Sequence, residues 1–449
     1  MKSLFRLSPG LLFLATALAV RAQTLDVLFS FGGTNGHGSC DLVASDDGFV
    51  YGITYDGGAC NYGTVFRVNT NGAYSTLGCF NGTNGANPLA GLVRGSDGCF
   101  YGTTVYGGAE NHGTVFRMDT NGTLTTLASF YSTNGTYSRG SLAFGVDVCL
   151  YGATQYGGTS NHGTIFRVDT NGAYTLLASL DNNTGYPPLG SLASGNDGFL
   201  YGVADNGGTN NCGTIFRVST DGTLNVLLSF NRTNGAYPRS GLVLGNDGCF
   251  YGTTDAGIPG SFGTVFRFGT NGELTTLNNL GISNGTTIYG RLTQGCDGWF
   301  YGITAKGGAS DGGTAFRIKP DGTWDTLFSF NNTNRYYYTN ICSSITGVVF
   351  GSDGNLYGTA PGGIYGAGVI YRLNLPHIRV QPGVQFSPTD GFAFSVDGLT
   401  GHGPVILQAS SDLLNWLSLL TNPPVTGTLL LQDVAATNHA FQFYRVLQQ

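Results

Sequence analysis

Seven aspartates, Asp47, Asp97, Asp147, Asp197, Asp247, Asp297 and Asp353, and seven arginines, Arg67, Arg117, Arg167, Arg217, Arg267, Arg317 and Arg372, recur at matched places along the chain. These side chains bind one another through paired, charge-assisted hydrogen bonds, whereas a ring of arginines without partners would hold an anionic ligand. A carboxylate stands near the arginine in every unit, so structural pairing is the expected role. His112 and His162 share a loop position in consecutive units. Two imidazoles can begin a metal site, but no third or fourth ligand recurs with them, so neither metal nor cofactor is expected. Asp205 and Asp255 also share a position in neighbouring units, and two carboxylates so placed could supply the acid and base of a glycosidase. With Glu110 they are the candidate acids of a polysaccharide-active enzyme; stabilising turns is their simpler use. Arg335, Tyr336, Tyr337 and Tyr338 interrupt the regular pattern, and three aromatic rings beside a guanidinium form a stacking platform for a sugar or an aromatic side chain. No Ser-His-Asp order, phosphate-binding glycine loop or Cys-x-x-Cys appears in a meaningful context.

The elements that position these residues are repeats. The pair Tyr-Gly returns at Tyr51, Tyr101, Tyr151, Tyr201, Tyr251 and Tyr301, and again at Tyr357 after a short insertion. A period of this length marks supersecondary units that bury their apolar faces against each other. In one unit, Gly91 to Val93 leads to the turn Asp97-Gly98, then Cys99 to Thr104, a loop with Gly107-Gly108, the run Gly113 to Met118, the turn Thr120-Asn121-Gly122, and Leu124 to Phe130. Asp-Gly and Asn-Gly between apolar runs are strong hairpin signals, because both turn residues tolerate positive φ. Each unit therefore reads as a four-stranded antiparallel meander, with strands a to d. The third-strand signature occurs seven times. The fourth-strand pattern also occurs seven times but is displaced: Leu25 to Phe31 precedes the first unit, and nothing similar follows Arg372. The expected fold is all-β, a seven-bladed propeller (residues 23–375) closed by the N-terminal strand, which hides the sheet edges. The glycine of Tyr-Gly is expected to admit close backbone approach near the axis. Residues 376–449 carry short β runs between turns and read as a small β-sandwich.

In the order Tyr101-Gly102-Thr103-Thr104, Gly107-Gly108 and Gly113-Thr114-Val115-Phe116-Arg117, the units resemble the GloVer tandem-repeat family of exported bacterial proteins, over about residues 40 to 372. The resemblance implies export and attachment through varied C-terminal modules, and brings no established activity or catalytic residues. The tail, with Ser411 to Trp416 and Phe443-Tyr444-Arg445, looks like the small β modules that end exported bacterial proteins; no sorting peptide with an apolar span and basic tail is visible.

Composition narrows the functional classes. The 449 residues are 10% charged with a net charge of −6, leaving no basic face for nucleic acid or an anionic membrane. Seventy-four glycines and two glutamates disfavour long helices, and 24 tyrosines with 29 phenylalanines suit strands. Lys2, Arg6, the run Leu11 to Val20 and Val20-Arg21-Ala22 read as a signal peptide over residues 1–22, too short to span a bilayer. The mature chain is expected to be secreted or held at the cell surface, with no membrane span. Nine cysteines are an odd count; Cys40, Cys60, Cys79 and Cys342 lie near one edge of the repeats and could include a disulfide, whereas Cys99, Cys149 and Cys249 share a strand position expected of small core residues. The leading expectation is a non-catalytic propeller that binds an extracellular glycan or surface protein through its long loops. A polysaccharide-active enzyme and a structural surface-layer spacer are the alternatives.

Overall fold

The computed structural model describes residues 24–257, 262–330 and 347–375, and in the C-terminal part 379–380, 385–387, 391–400, 405–410, 417–422, 426–433 and 443–448. The expected signal peptide and the Arg335–Tyr338 platform lie outside the described residues. Contacts separate Leu25–Leu373 from the two ends of the chain. The large unit is a seven-bladed β-propeller, and among the described residues there is no helix.

Blade 2 shows the construction, with strand a Val93–Arg94, b Phe100–Thr103, c Thr114–Met118 and d Leu124–Ser129, in that spatial order. Blade 1 adds a short strand, His37–Ser39, on Phe49–Asp56. In the seventh sheet the order is Leu25–Ser30, Val369–Leu373, Leu356–Ala360, Val349–Phe350; the first two are antiparallel from Leu25 opposite Leu373 to Ser30 opposite Val369. The C-terminal unit holds two sheets. One centres on Gly391–Thr400, paired with Arg379–Val380, Gln385–Ser387 and Thr426–Asp433; the other places Val405–Ser410 between Leu417–Asn422 and Phe443–Gln448.

Strands b and c are buried on both faces because each blade is sandwiched between neighbours, which is why they read as continuous apolar runs. The packing is aromatic. Tyr51 stacks on Phe100 of the next blade at 4.2 Å and Tyr251 on Phe300 at 3.8 Å, while Phe80, Phe130 and Phe230 meet Phe116, Phe166 and Phe266 edge-on or tilted at 5.0–5.6 Å. At the seventh-to-first junction Phe31, Leu42, Val50, Phe66, Tyr357 and Ile370 share one buried cluster, and the Gly347 N–H donates to Asp41 Oδ1 at 2.8 Å.

Two glycines have definite work. A Cβ on Gly102 would lie 2.6 Å from Phe116 Cζ and 3.3 Å from Leu92 Cδ2. The glycine of Tyr-Gly thus makes room for side chains of its own blade, not for the backbone approach expected at the axis. That approach falls elsewhere, at Gly190, where a Cβ would sit 2.6 Å from the Gly241 nitrogen. Gly122, at φ +91°, occupies a turn that any L side chain would strain, and a Cβ there would lie within van der Waals radii of the Leu77 carbonyl oxygen of the previous blade. Leu77 is a bulge: its strand pairs Thr76 with Phe66 and Gly78 with Val65, skipping the leucine between them. Leu127, Leu177, Leu227, Leu277 and Leu327 are skipped in the same way, as is Leu28 in Leu25–Ser30.

Each turn aspartate accepts a hydrogen bond from the hydroxyl of its own Tyr-Gly tyrosine, at 2.6–2.9 Å in all seven blades. Its other oxygen accepts the backbone N–H two residues on, at 3.0–3.3 Å. Tyrosine, not arginine, is therefore the constant partner, a correction to the expected pairing. The arginines divide according to the residue two places after the turn aspartate. Where it is the small Cys99, Cys149 or Cys249, Arg117, Arg167 and Arg267 reach Asp97, Asp147 and Asp247 at 3.5, 3.0 and 2.9 Å. Where it is Phe49, Phe199 or Trp299, the guanidinium of Arg67, Arg217 or Arg317 lies over the ring at 4.3–4.5 Å. Where it is Asn355, the amide donates to Asp353 at 2.8 Å, and Arg372 donates to Asp26 at 2.7 Å while keeping Asp353 at 3.7 Å. Cys99 and Cys149 are buried, as expected of core residues, and Cys249 is half-buried.

Burial raises the Asp147 carboxyl, but the Tyr151 hydroxyl, the Cys149 N–H and Arg167 together outweigh it, so it ends below its ordinary value. Burial, then the bond to Asp147, holds Tyr151 up at about 12. An unfolded tyrosine ionises near pH 10, so the folded chain keeps a proton there that the unfolded chain loses, and the tyrosine's contribution to stability, complete below pH 10, falls between pH 10 and about 12. Tyr151→Phe should lower unfolding free energy at pH 7 by about 1 kcal/mol and flatten that alkaline limb, measured by urea unfolding at a series of pH values. Deleting residues 24–30, which removes the outer strand of the seventh sheet, should lower the melting temperature well beyond the effect of any single Tyr→Phe change, read by scanning calorimetry.

Candidate functional site

The loops between strands b and c and between d and the next a share one face of the propeller, opposite the Asp-Tyr pairs. On it, at the junction of blades 7 and 1, lies an open pocket of about 540 Å³ lined by Gly32, Gly33, His37, Asp56, Gly57, Asn61, Tyr365 and Ala367. His37 and Asp56 are cross-strand partners, and His37 Nδ1 lies 2.7 Å from Asp56 Oδ1 with both side chains partly exposed. The added strand His37–Ser39 fixes this pair, and the Gly38 N–H donates to Ala367 O of blade 7 at 2.9 Å, tying the pocket's two sides together. The Tyr365 ring lies against Gly32, where a Cβ would stand 3.2 Å from the ring, and it is 72% exposed. One flat aromatic face therefore stands in the same open pocket as an imidazole, a carboxylate and the Asn61 amide. Such a site can pack an apolar surface on the ring while its polar groups fix the ligand's hydroxyls.

The residues singled out in the sequence separate. His162 stacks on Tyr186 at 4.1 Å, and His112 is half-buried in its own loop. Among the described residues no group of three His, Cys, Asp or Glu side chains is placed to hold a metal. Glu110 is exposed on a loop. Asp205 and Asp255 do come together, through a residue not foreseen: Arg239 Nε donates to Asp205 Oδ1 and its Nη1 reaches Asp255 Oδ2, each at 3.0 Å. The pair forms a clamp across blades 4 and 5, with Asp205 buried, Asp255 half-buried and Arg239 reaching them from the surface, and stabilisation here works through an arginine instead of a turn. Burial, only partly offset by Arg239 and reinforced by Asp205, pushes the Asp255 carboxyl up to about 6, and its buried Oδ1 has no hydrogen-bond partner.

The pocket residues His37, Asp56, Asn61 and Tyr365 were not among the sequence candidates. Their signal is departure from the repeat: Asp56 stands where the next two blades have Tyr106 and Tyr156, and Tyr365 falls in the b-to-c loop of the blade whose outer strand comes from the N-terminus.

Solved structures with similar architecture include a gluconolactonase from Xanthomonas campestris (14% identity, TM-score 0.40, covering 65% of this chain and 90% of that one), a puromycin-hydrolysing peptidase from Mycobacterium tuberculosis (12%, 0.48, 81% and 58%) and an acylaminoacyl peptidase from Pyrococcus horikoshii (10%, 0.44, 81% and 58%). No curated protein matches the chain. The model of the Gloeobacter/Verrucomicrobia repeat matches residues 9–196 and 150–351, which together span most of the propeller. With the Tyr-Gly pair in all seven blades and the Gly-Thr-x-Phe-Arg run in the first six, the chain belongs to the Gloeobacter/Verrucomicrobia repeat family.

Proposed function

We propose that this chain is an exported, non-catalytic binding protein that takes an extracellular glycan on the long-loop face of its propeller. The ring is closed by Leu25–Ser30, and the two C-terminal sheets stack as a β-sandwich that presents or attaches it. The observation that carries the reading is the open pocket between blades 7 and 1, where exposed Tyr365 shares the lining with His37, Asp56 and Asn61. Pyranose rings offer apolar C–H faces to an aromatic ring and equatorial hydroxyls to a carboxylate, an imidazole and an amide, which matches this set. Arg335 to Tyr338 enters the same reading as a second stacking contact, and His112 and His162 as loop residues of the same face. The low charge of the chain favours a neutral glycan over an anionic one.

Catalysis on a polysaccharide is the second reading, favoured by one observation: Asp255, held near a pKa of about 6 beside Asp205, has the ionisation range of a general acid. The Arg239 clamp on both carboxylates weighs against it.

Binding of neutral polysaccharides by the mature chain, followed by titration calorimetry, should weaken about 10-fold or more in Tyr365→Ala, the loss of about 1.4 kcal/mol expected of one stacking contact. His37→Ala should weaken it by a smaller factor. Unchanged affinity in both variants would move the site off this pocket, and release of reducing sugar that disappears in Asp255→Asn would replace binding with catalysis.

A further inference from the structure

In blade 1, Cys60 lies in the b-to-c loop and Cys79 ends strand d, and their Sγ atoms are 3.4 Å apart. Both are reached from solvent: Cys60 is exposed and Cys79 half-buried. The other blades show what this place normally holds. The residue matching Cys79 is Ser129, Ser179, Ser229 or Ser329 in blades 2, 3, 4 and 6, and in the first three its hydroxyl accepts a loop N–H, from Ala109, Thr159 or Thr209, at 3.3–3.4 Å. The residue matching Cys60 is Glu110, Ser160, Asn210 or Ser310 in those blades. Strand end and loop therefore touch in each of blades 2 to 4 through a serine, and the blade that has cysteine on one side has it on the other as well. Two independent cysteine substitutions would not be expected to fall on facing positions of one blade. By contrast, Cys40 is buried and donates to the Pro88 carbonyl at 3.4 Å.

We infer that Cys60 and Cys79 form a disulfide that staples the b-to-c loop of blade 1 to its outer strand. The step is thiol-disulfide exchange with an external disulfide, of a small molecule or of a protein oxidant. The exposed Cys60, as thiolate, attacks one sulfur of that disulfide and expels the other as a thiolate; Cys79, as thiolate, then attacks Cys60 Sγ and expels the second. One Sγ–Sγ bond forms, the external disulfide is reduced to two thiols, and the two protons lost by the cysteines balance those gained by the leaving thiolates. The sulfurs must close from 3.4 Å to about 2.05 Å, a movement within reach of side-chain rotation in an exposed loop. The loop so fixed runs through Asn61 and Gly57, two residues lining the pocket between blades 7 and 1, so the cross-link holds one wall of the binding site. The inference rests on the export reading only for the source of its oxidant.

The test is incubation of the full chain with oxidised glutathione, followed by iodoacetamide alkylation and non-reducing peptide mass mapping. The expected result is one linked peptide pair containing Cys60 and Cys79, absent from Cys60→Ser, with a melting temperature that falls by several degrees on adding dithiothreitol. Cys79→Ser reproduces the residue of blades 2, 3, 4 and 6, so the Cys60→Ser, Cys79→Ser double variant should fold and show no response to dithiothreitol. Full alkylation of both thiols after oxidation, or Cys60 halted as a glutathione adduct, overturns the inference. A chain recovered reduced from the cytosol that cross-links readily in glutathione upholds the pair and removes the export reading instead.

Discussion

A phenol hydroxyl buried without a partner is costly, and this fold buries seven of them. The Tyr-Gly tyrosines are shut between neighbouring blades, so each hydroxyl must be satisfied within its own blade, and the turn aspartate four residues earlier does this every time. The bond sets several things together. It fixes the a-to-b turn, because the same carboxylate also caps the N–H two residues on. It also places the aromatic ring where the next blade can stack on it, as Tyr51 does with Phe100. The third-strand arginine is then free to vary: it joins the carboxylate, covers an aromatic ring or crosses to Asp26, according to the size of one neighbouring side chain. Invariant tyrosine and aspartate with an opportunistic arginine is the reverse of what charge alone suggests.

A second Thr-based network does the corresponding work at the other end of strands b and c. Thr104 and Thr114 hydroxyls lie 2.9 Å apart, and Thr114 also donates to the carbonyl of Asn84 in the connection arriving from the preceding blade. The pattern returns as Thr164 to Asn134 and Thr314 to Asn284. Buried hydroxyls thus anchor the long connections to the rigid sheet, so that a loop can change at its tip while its root stays fixed. The His37–Asp56 pair grows from a root of this kind, where the Thr54 and Thr64 hydroxyls lie 2.9 Å apart and Thr54 donates to the Asp56 carbonyl; under Tyr365 the matching positions are Ala360 and Val369.

Much of the fold was legible because it is periodic. Turn dipeptides and the third-strand signature gave blade number and the order of strands within a blade, since each rests on local backbone chemistry that a sequence displays directly. The bulges at Leu77 and its counterparts were not legible: a skipped leucine leaves the apolar pattern unchanged, and only the register of the pairing reveals it. The role of the Tyr-Gly glycine was misplaced for a related reason, because it depends on the side-chain directions of Phe116 and Leu92, which spacing along the chain does not display. The candidate site was less legible still. Asp205 and Asp255 were found, but Arg239, 34 residues beyond Asp205, belongs to a different strand connection and carries no pattern of its own. His37 and Tyr365 lie more than 300 residues apart in the chain and meet in a pocket only where the last blade adjoins the first.

The bulged leucine bears on how such chains can evolve. Its carbonyl points at the turn glycine of the adjoining unit, so each unit rests on the next at a wedge angle set by backbone atoms, which substitution of side chains does not alter. Duplicating or losing a whole unit would demand a new wedge at every seam simultaneously, whereas lengthening a connection, as before the last unit, disturbs one seam alone. Novelty in these chains is therefore expected to accumulate in loop insertions and in the appended module, with the count of units held constant.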